Sequence, residues 1–442
     1  MKAKYTASPV TGDVLPRSDS QTFEAKTYAK VSRRLIPFLM LCYLGAYLDR
    51  VNVGFAKLQM LSDLRFSETV YGMGAGIFFL GYFLFEVPSN VILHRVGARR
   101  WLARIMLTWA VISASFVFVK SPTAFYVLRF LLGVAEAGFA PGVILYLTYW
   151  FPSERRAKAL SLFFMAIPLA GMVGGPLSGW IMHSLQGAMS MAGWKWLFLL
   201  EALPSLVLGF AILLYLDDGI KQAKWLTDSE KALLARNVAA DAEHKTAHVS
   251  IRAFIGDRRL WLMASIYFCV VLGQYGLTFW LPTIIRKSGV ADPLWVGVFT
   301  AIPYLCAIIA LPLIGMSADR RRERRFHLAI PMLIAAAGFA TLPMLGSVAA
   351  SIVCLSIAAA GILASSSQFW SLPTALLGGM SAAAGIAAVN CFANLAGFFS
   401  PAIVGWLNDL TGKSTAGLIF ISVAVTFGAA LVFLVPARSV NR

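Results

Sequence analysis

Apolar runs of about 20 residues, enough at 1.5 Å per residue for a helix to cross a bilayer core, recur throughout the chain. They predict helical spans near residues 33–57, 70–93, 99–119, 122–148, 157–183 and 194–216, then 259–286, 294–316, 327–347, 350–374, 381–408 and 415–436. Twelve spans return the chain to the side on which it starts. The polar segment from Asp217 to Asp257, rich in Lys, Glu, Asp and His, separates the sixth span from the seventh. The pattern therefore predicts an all-α membrane protein. Two six-helix halves (31–216 and 258–437) are joined by a linker (217–257), with a disordered tail at 1–30 and a short tail at 438–442.

An internal repeat supports this division. Residues 169–180 read Leu-Ala-Gly-Met-Val-Gly-Gly-Pro-Leu-Ser-Gly-Trp, and residues 395–406 read Leu-Ala-Gly-Phe-Phe-Ser-Pro-Ala-Ile-Val-Gly-Trp. The basic loop from Arg95 to Arg100 is echoed from Arg320 to Arg325 at nearly the same offset. A repeat displaced by six spans keeps its orientation, so the halves are expected to be parallel repeats about an axis along the membrane normal. Small residues at helix-contact spacing (Gly72 and Gly76, Gly133 and Ala137, Gly171, Gly175 and Gly179) are read as packing positions. Pro88, Pro141, Pro168 and Pro303 are expected to kink their helices.

Composition excludes a soluble globular chain, because 59% of residues are apolar and only 13% charged, with a mean hydropathy of +0.73. The net charge of +17 does not point to nucleic acid, since the Lys and Arg fall in short loops rather than on one folded face. Arg95, Arg99 and Arg100, then Arg155, Arg156 and Lys158, the linker, and Arg320 to Arg325 share the side of the N-terminus; the opposite loops hold few, such as Lys120, Lys195 and Lys413. The positive-inside rule puts both termini and the linker in the cytoplasm of a multi-pass membrane protein. The five cysteines (Cys42, Cys269, Cys306, Cys354, Cys391) are scattered through apolar runs and suggest neither a disulfide framework nor a metal cluster. No cleavable signal peptide precedes Leu35, and no cofactor is implied.

Charges inside the spans carry the functional signal. A charged side chain at a helix centre costs at least about 2.5–3.5 kcal/mol and persists chiefly where it faces a cavity or a partner. Asp49 and Arg50 interrupt the first span, Glu86 the second, Arg129 and Glu136 the fourth and Glu201 the sixth, whereas the second half has only polar groups such as Gln274, Gln368, Asn390 and Asn394. A helix end at the interface would explain Asp49 and Arg50 blandly, but apolar Val51 to Phe55 continue beyond them. Arg129 and Glu136 stand two turns apart on nearly one face of their helix. Depth matching predicts an Asp49–Arg129 ion pair, with Glu136 deeper and pairing with Arg50 in another conformation. Glu86 suits either a pair with Arg104 or a substrate role, and Glu201 an anchor for the sixth helix. Two arginines offer forked donors to a carboxylate, and buried acids can carry a proton. The structural alternative is that the four charges only neutralise one another.

The pattern resembles the major facilitator superfamily and, within it, the anion:cation symporter family of phthalate, tartrate, hydroxyphenylacetate and sugar-acid permeases. The resemblance runs from about Arg33 to Pro436. It is carried by Tyr47-Leu-Asp-Arg-Val-Asn, by Pro88-Ser-Asn with Arg95-Val-Gly-Ala-Arg-Arg, by Arg129-Phe-Leu-Leu-Gly-Val-Ala-Glu-Ala-Gly-Phe-Ala-Pro-Gly, by Tyr149-Trp-Phe-Pro, and by Phe369-Trp-Ser-Leu-Pro and Asn390 to Gly397. It implies that Arg50 and Arg129 handle a carboxylate and Asp49 and Glu136 a proton, with Tyr47, Tyr82, Gln274, Trp370, Asn390 and Asn394 lining the substrate pocket. His94 stands where the superfamily pattern has an aspartate, while the second copy keeps Asp319 before Arg320.

The function expected is secondary active transport rather than catalysis: proton-coupled uptake of a small organic anion, by a monomer that alternates its access. A membrane-embedded enzyme is disfavoured by the lack of a nucleophile elbow or metal-ligand cluster, and Gly412-Lys413-Ser414-Thr415 lacks the preceding glycine of a phosphate-binding loop. A non-transporting sensor would need a signalling domain for which the linker is short. Gln274, Asn390 and Asn394 suit hydroxyl groups and favour tartrate or a related hydroxy acid. Tyr47, Tyr82, Tyr275 and Trp370 would suit an aromatic acid, and anion exchange is a further alternative.

Overall fold

A computed structural model describes residues 17–243, 256–376 and 381–440. The described residues form helices without strands, and twelve helical stretches are long and apolar enough to cross a membrane, matching the twelve spans expected. The first half comprises α1 (Arg17–Leu64), α2 (Glu68–Val96), α3 (Ala98–Ala114), α4 (Pro122–Glu136), α5 (Phe139–Thr148), α6 (Ser153–Phe164), α7 (Ala166–Ser184) and α8 (Gly193–Tyr215). The linker contributes α9 (Asp228–Glu243). The second half comprises α10 (Arg258–Lys287), α11 (Pro293–Arg321), α12 (Arg325–Thr341), α13 (Val348–Phe369), α14 (Ser371–Leu376), α15 (Ser381–Asn394), α16 (Ala396–Thr411), α17 (Thr415–Val432) and α18 (Ala437–Val440).

Helix starts follow from local chemistry. Ser67, Ser121 and Ser347 accept the N–H three residues on (Val70, Ala124 and Ala350), at 3.2–3.3 Å. Pro122 and Pro293 occupy the first turn, where their missing N–H costs nothing.

Four spans are broken, at corresponding places in the two halves: the fourth at Ala137–Gly138, the fifth at Met165, the tenth at Trp370 and the eleventh at Leu395. A proline follows three of these breaks by three residues: Pro141, Pro168 and Pro373. Each lacks the N–H that would bond the carbonyl four residues back, which frees the carbonyls of Ala137, Phe164 and Phe369. At Gly138 the chain takes φ +87°, a left-handed geometry that favours glycine. Proline alone does not decide the matter, because Pro88 and Pro303, expected as kinks, lie within unbroken helices. At Leu395 no proline explains the break.

The first helix corrects one expectation. Residues 17–30 were expected within a disordered tail but form the start of a 48-residue helix; residues 1–16 lie outside the described residues. The reason is packing. Tyr28 and Val31 are buried, and the Tyr28 ring lies 6.0 Å from that of Phe151. The linker helix docks on the same stretch: Lys30 pairs with Glu230 at 2.8 Å, and Asn237 donates to both Glu24 and Tyr28, while Arg155 of α6 pairs with Glu24 at 3.0 Å. Burial pushes the Glu230 carboxyl up, but the Lys30 ammonium and the Thr227 N–H outweigh it and hold it below the usual carboxylate range. The face carrying α9 and the start of α1 is called the terminal face below.

On the opposite face the two halves close through backbone contact. α7 packs on α11, α16 on α2 and α1 on α10. A Cβ on Gly175 would stand 2.7 Å from the Gly297 carbonyl oxygen, and one on Gly76 would stand 2.7 Å from that of Phe398. Gly72 meets Pro401 and Gly405, and Gly179 meets Pro293. The repeated sequence segments are thus the segments that seal the halves together. The packing role expected for Gly72, Gly76, Gly175 and Gly179 is what the structure uses, between halves rather than within one. Charge reinforces the seal. The N–H groups of Glu68 and Thr69, at the start of α2, donate to Asp409 of α16 at 3.1 and 2.7 Å. Lys57, a buried span charge that sequence reading passed over, pairs with Glu68 at 2.5 Å and lies 3.5 Å from the Trp280 ring centre.

A Gly175→Val substitution tests the seal. Overpacking costs about 1–3 kcal/mol, equivalent to roughly a 5- to 150-fold bias against the closed arrangement. A single cysteine placed on α7 near Gly179 should become labelled faster in the variant at unchanged membrane expression.

Candidate functional site

The site is built around Arg50, in the second half of α1 and only 7% exposed. Its guanidinium forms an ion pair with Glu136, the last residue of α4. Because α4 breaks immediately after Glu136, the carboxylate projects from an interrupted helix, the arrangement by which membrane helices build sites near mid-bilayer. Arg50 also donates to the Tyr275 hydroxyl of α10 at 3.4 Å, a contact across the two halves. Three rings surround it, with centres 5.6 Å (Tyr47), 5.3 Å (Phe78) and 5.4 Å (Tyr82) away. Gln274 donates to the Tyr47 hydroxyl at 3.5 Å. Arg50, Tyr47, Tyr82, Gln274 and Glu136, singled out in the sequence, therefore meet in one cluster.

The predicted Asp49–Arg129 ion pair is not formed. Adjacent residues point about 100° apart on a helix, and with Arg50 turned towards Glu136, Asp49 faces α3 and α8 instead. There its carboxylate accepts from Ser113 at 2.8 Å, Ser205 at 2.8 Å and the Trp109 indole at 3.1 Å. Three neutral donors answer a buried acid with no cation. Arg129, fully buried, donates to the carbonyls of Gly74 and Ala75 at 3.1 and 3.2 Å, tying α4 to α2. The pairing expected for another conformation, Arg50 with Glu136, is the one present. Arg129 stays beside the cluster through Phe78, whose ring centre lies 5.0 Å from it and 5.3 Å from Arg50.

Glu86 and Arg104 do not pair either. Arg104 lies over the Trp101 ring at 3.8 Å, and Glu86 Oε2 has no partner among the described residues. Glu201 accepts from Ser178 of α7 at 2.6 Å, the helix-anchoring role expected of it. Trp370, at the break of the tenth span, packs edge-on at 4.7 Å against Tyr267, two turns of α10 from Gln274 towards the terminal face. Asn390 and Asn394 are half-buried, one turn apart on α15, with Asn394 at the break of the eleventh span. α15 packs on α10, so the three second-half candidates flank the cluster from the terminal side. Ser113, Ser205, Trp109 and Phe78 were missed in the sequence; the only signal was the four-residue spacing of Trp109 and Ser113, which puts both on one helix face.

The loop after α2 also has an answer for its missing aspartate. The N–H of Arg99, in the first turn of α3, donates to Asp218 at 2.9 Å. A carboxylate from beyond α8 thus caps the helix that His94, exposed nearby, leaves uncapped.

Comparison with known proteins decides the family. The profile of the Major Facilitator Superfamily matches residues 39–401. The chain belongs to this superfamily. Superfamily membership makes it a membrane transporter rather than an enzyme. It is similar to a Pseudomonas putida protein named "Putative metabolite transport protein NicT", 47% identical over 98% of this chain and 100% of the relative. It is also similar to an Agrobacterium vitis protein named "Putative tartrate transporter", 47% identical over 94% of this chain and 92% of the relative. The solved structure of a bacterial homologue of the human lysosomal transporter Spinster, inward-facing and unoccupied, superposes with a TM-score of 0.77 at 16% identity, covering 92% of this chain and 97% of that one. That likeness establishes the major facilitator fold, with its two parallel-related halves.

The Asp49 cluster can be tested directly. Ser113→Ala removes a donor from a buried carboxylate and should cost about 1–3 kcal/mol, read as a lowered melting temperature of the purified protein. In an Asp49→Asn background, where the charge is gone, the same change should cost less than half as much.

Proposed function

We propose that this protein imports a small organic carboxylate, tartrate or a related hydroxy acid, together with a proton, by alternating access across a bacterial inner membrane, with the terminal face in the cytoplasm. The observation that carries the reading is the buried Arg50–Glu136 pair at the junction of the two halves. An arginine whose one charged partner among the described residues is a carboxylate is a site where that carboxylate can be exchanged for another. Protonation of Glu136 cancels its charge and frees the forked donors of Arg50 for the substrate anion. Arg50 Nε and Arg129 Nη1 have no partner among the described residues, which leaves donor capacity for a ligand. A proton taken up with the anion offsets one carboxylate charge in the cluster, so that charge is not buried uncompensated.

In this reading Arg50 is the principal anion donor and Arg129 supplies positive potential from behind Phe78. Tyr47, Tyr82 and Gln274 position the substrate, while Trp370, Asn390 and Asn394 complete the pocket from the second half. Glu136 carries the coupling proton, and Asp49 is a second protonatable group held by its three donors. The Agrobacterium relative supports tartrate as the type of substrate. A second reading, an aromatic acid, is favoured by the three rings around Arg50. The broken fourth, fifth, tenth and eleventh spans are where the terminal side can bend while the opposite face stays sealed.

Uptake of labelled tartrate by proteoliposomes tests the reading. An inward proton gradient should raise accumulation severalfold. Glu136→Gln should abolish that gain yet retain counterflow, and Arg50→Lys should lower both at least tenfold, because a point ammonium cannot replace a bidentate fork. Uptake indifferent to the gradient in the unmutated protein would leave facilitated diffusion or exchange. Parallel uptake of an aromatic acid such as phthalate decides between the two substrate classes.

A further inference from the structure

A cavity of about 550 Å³ opens on the terminal face between the first and sixth spans, far from Arg50. Lys26, Lys30, Arg33 and Arg34 of α1 line it, facing Tyr215 at the end of α8 and Trp225 of the linker. An adjoining cavity of about 310 Å³ shares Arg34, Tyr215 and Trp225 and adds Leu214, Asp217 and Lys224. Five basic side chains thus converge on one recess. Glu230 neutralises only Lys30. Asp217, the sole carboxylate in the lining, already accepts from the Trp225 indole at 2.9 Å.

Arg34 is the best-held member. Its guanidinium lies 4.5 Å from the Tyr215 ring centre and 5.0 Å from that of Trp225, and the Tyr215 hydroxyl donates to the Arg34 carbonyl at 3.3 Å. Arg34 Nε is buried and has no hydrogen-bond partner among the described residues. Stacking fixes the plane of the fork and leaves its edge for an anion.

The recess borders an exposed apolar stripe. Leu214 is 89% exposed, and Phe210, Val207 and Leu203 follow it up one face of α8, all exposed at helical spacing. Leu41 is exposed on α1 two turns beyond Arg34, and Phe38 between them packs against Tyr215 at 4.7 Å. A soluble anion would use the basic recess and gain nothing from this stripe. An amphiphile with an anionic head and hydrocarbon tails would use both. The geometry points to a binding site for an anionic phospholipid, its phosphate held by Arg34, Arg33, Lys26 and Lys224, and its acyl chains along α8 and α1. Basic recesses between spans at the membrane surface have the chemistry for such headgroups, and the tails add apolar burial that a free phosphate lacks. Because Trp225 and Lys30 also hold the linker, a bound lipid would join the first span, the sixth span and α9 into one unit.

Native mass spectrometry of the full-length, delipidated protein tests this with phosphatidylglycerol, phosphatidylcholine of the same chains, and glycerol 3-phosphate. Phosphatidylglycerol should be retained at least fivefold better than phosphatidylcholine. Arg34→Gln combined with Lys224→Gln should cut that retention at least threefold, whereas Lys195→Gln on the opposite face should not. If the Arg34 variant fails to fold, Lys26→Gln with Lys224→Gln serves in its place, with the same threefold loss expected. Equal retention of the two lipids, or full retention by the basic-residue variant, overturns the proposal. Competition by glycerol 3-phosphate as effective as by the lipid also overturns it, assigning the recess to a soluble anion.

Discussion

An ionised side chain taken out of water must be answered by a partner, by donors or by loss of its charge. In a bundle this apolar that constraint orders the whole first half. Four devices meet it here: an ion pair for Arg50 and Glu136, neutral donors for Asp49, backbone carbonyls for Arg129, and an ion pair with aromatic faces for Lys57. They are not equivalent. Carbonyls fixed in a helix cannot leave, so Arg129 reads as a permanent tie between α2 and α4. The partner of Arg50 is a carboxylate at a broken helix end, and under the proposed function it is the one that protonation discharges and the substrate replaces. In that reading the Arg50 arrangement is the one of the four that is exchanged.

The same distinction separates the two faces of the molecule. On the face opposite the termini, glycines let backbones touch, and Asp409 caps α2 across the halves. Such contacts are short-ranged and hold only when close-packed. Towards the terminal face four spans are interrupted. A site between a zipped face and a jointed one can exchange access without rebuilding itself. The contact between Arg50 and Tyr275 makes the cluster part of the junction between halves, so under the proposed function occupation of the site is linked to closure of the halves.

Much of this was legible in the chain. Period and length gave the twelve spans, and the repeat at 169–180 and 395–406 marked the segments that close the halves. Ionisable residues at membrane depth marked the cluster, because nothing else at that depth would keep them. Partner choice was not legible. Asp49 and Arg129 were matched by depth, but depth is one coordinate, and the rotation of α1 about its axis decides which neighbour each side chain meets. That rotation is set by which face packs on α3, α7 and α8, a property of the whole bundle. Asp49 could also be satisfied by serines and a tryptophan, which carry no distinctive signal in a membrane helix. Lys57 escaped notice for a related reason: near a span's end a lysine reads as an interfacial anchor until the opposite half is seen to cover it.

The start of α1 shows the reverse error, a polar stretch taken for disorder. Residues 17–30 are too hydrophilic to span, and a hydropathy pattern cannot tell a solvated tail from a helix held by another soluble helix. What orders them is α9, through Lys30–Glu230 and the bonds from Asn237 to Glu24 and Tyr28, with α6 adding Arg155–Glu24. Each exposed pair is worth little alone, but Tyr28 and Val31 are buried beneath them, so the charges select the register while apolar burial supplies the stability. The linker is thereby fastened to the first half rather than strung between halves.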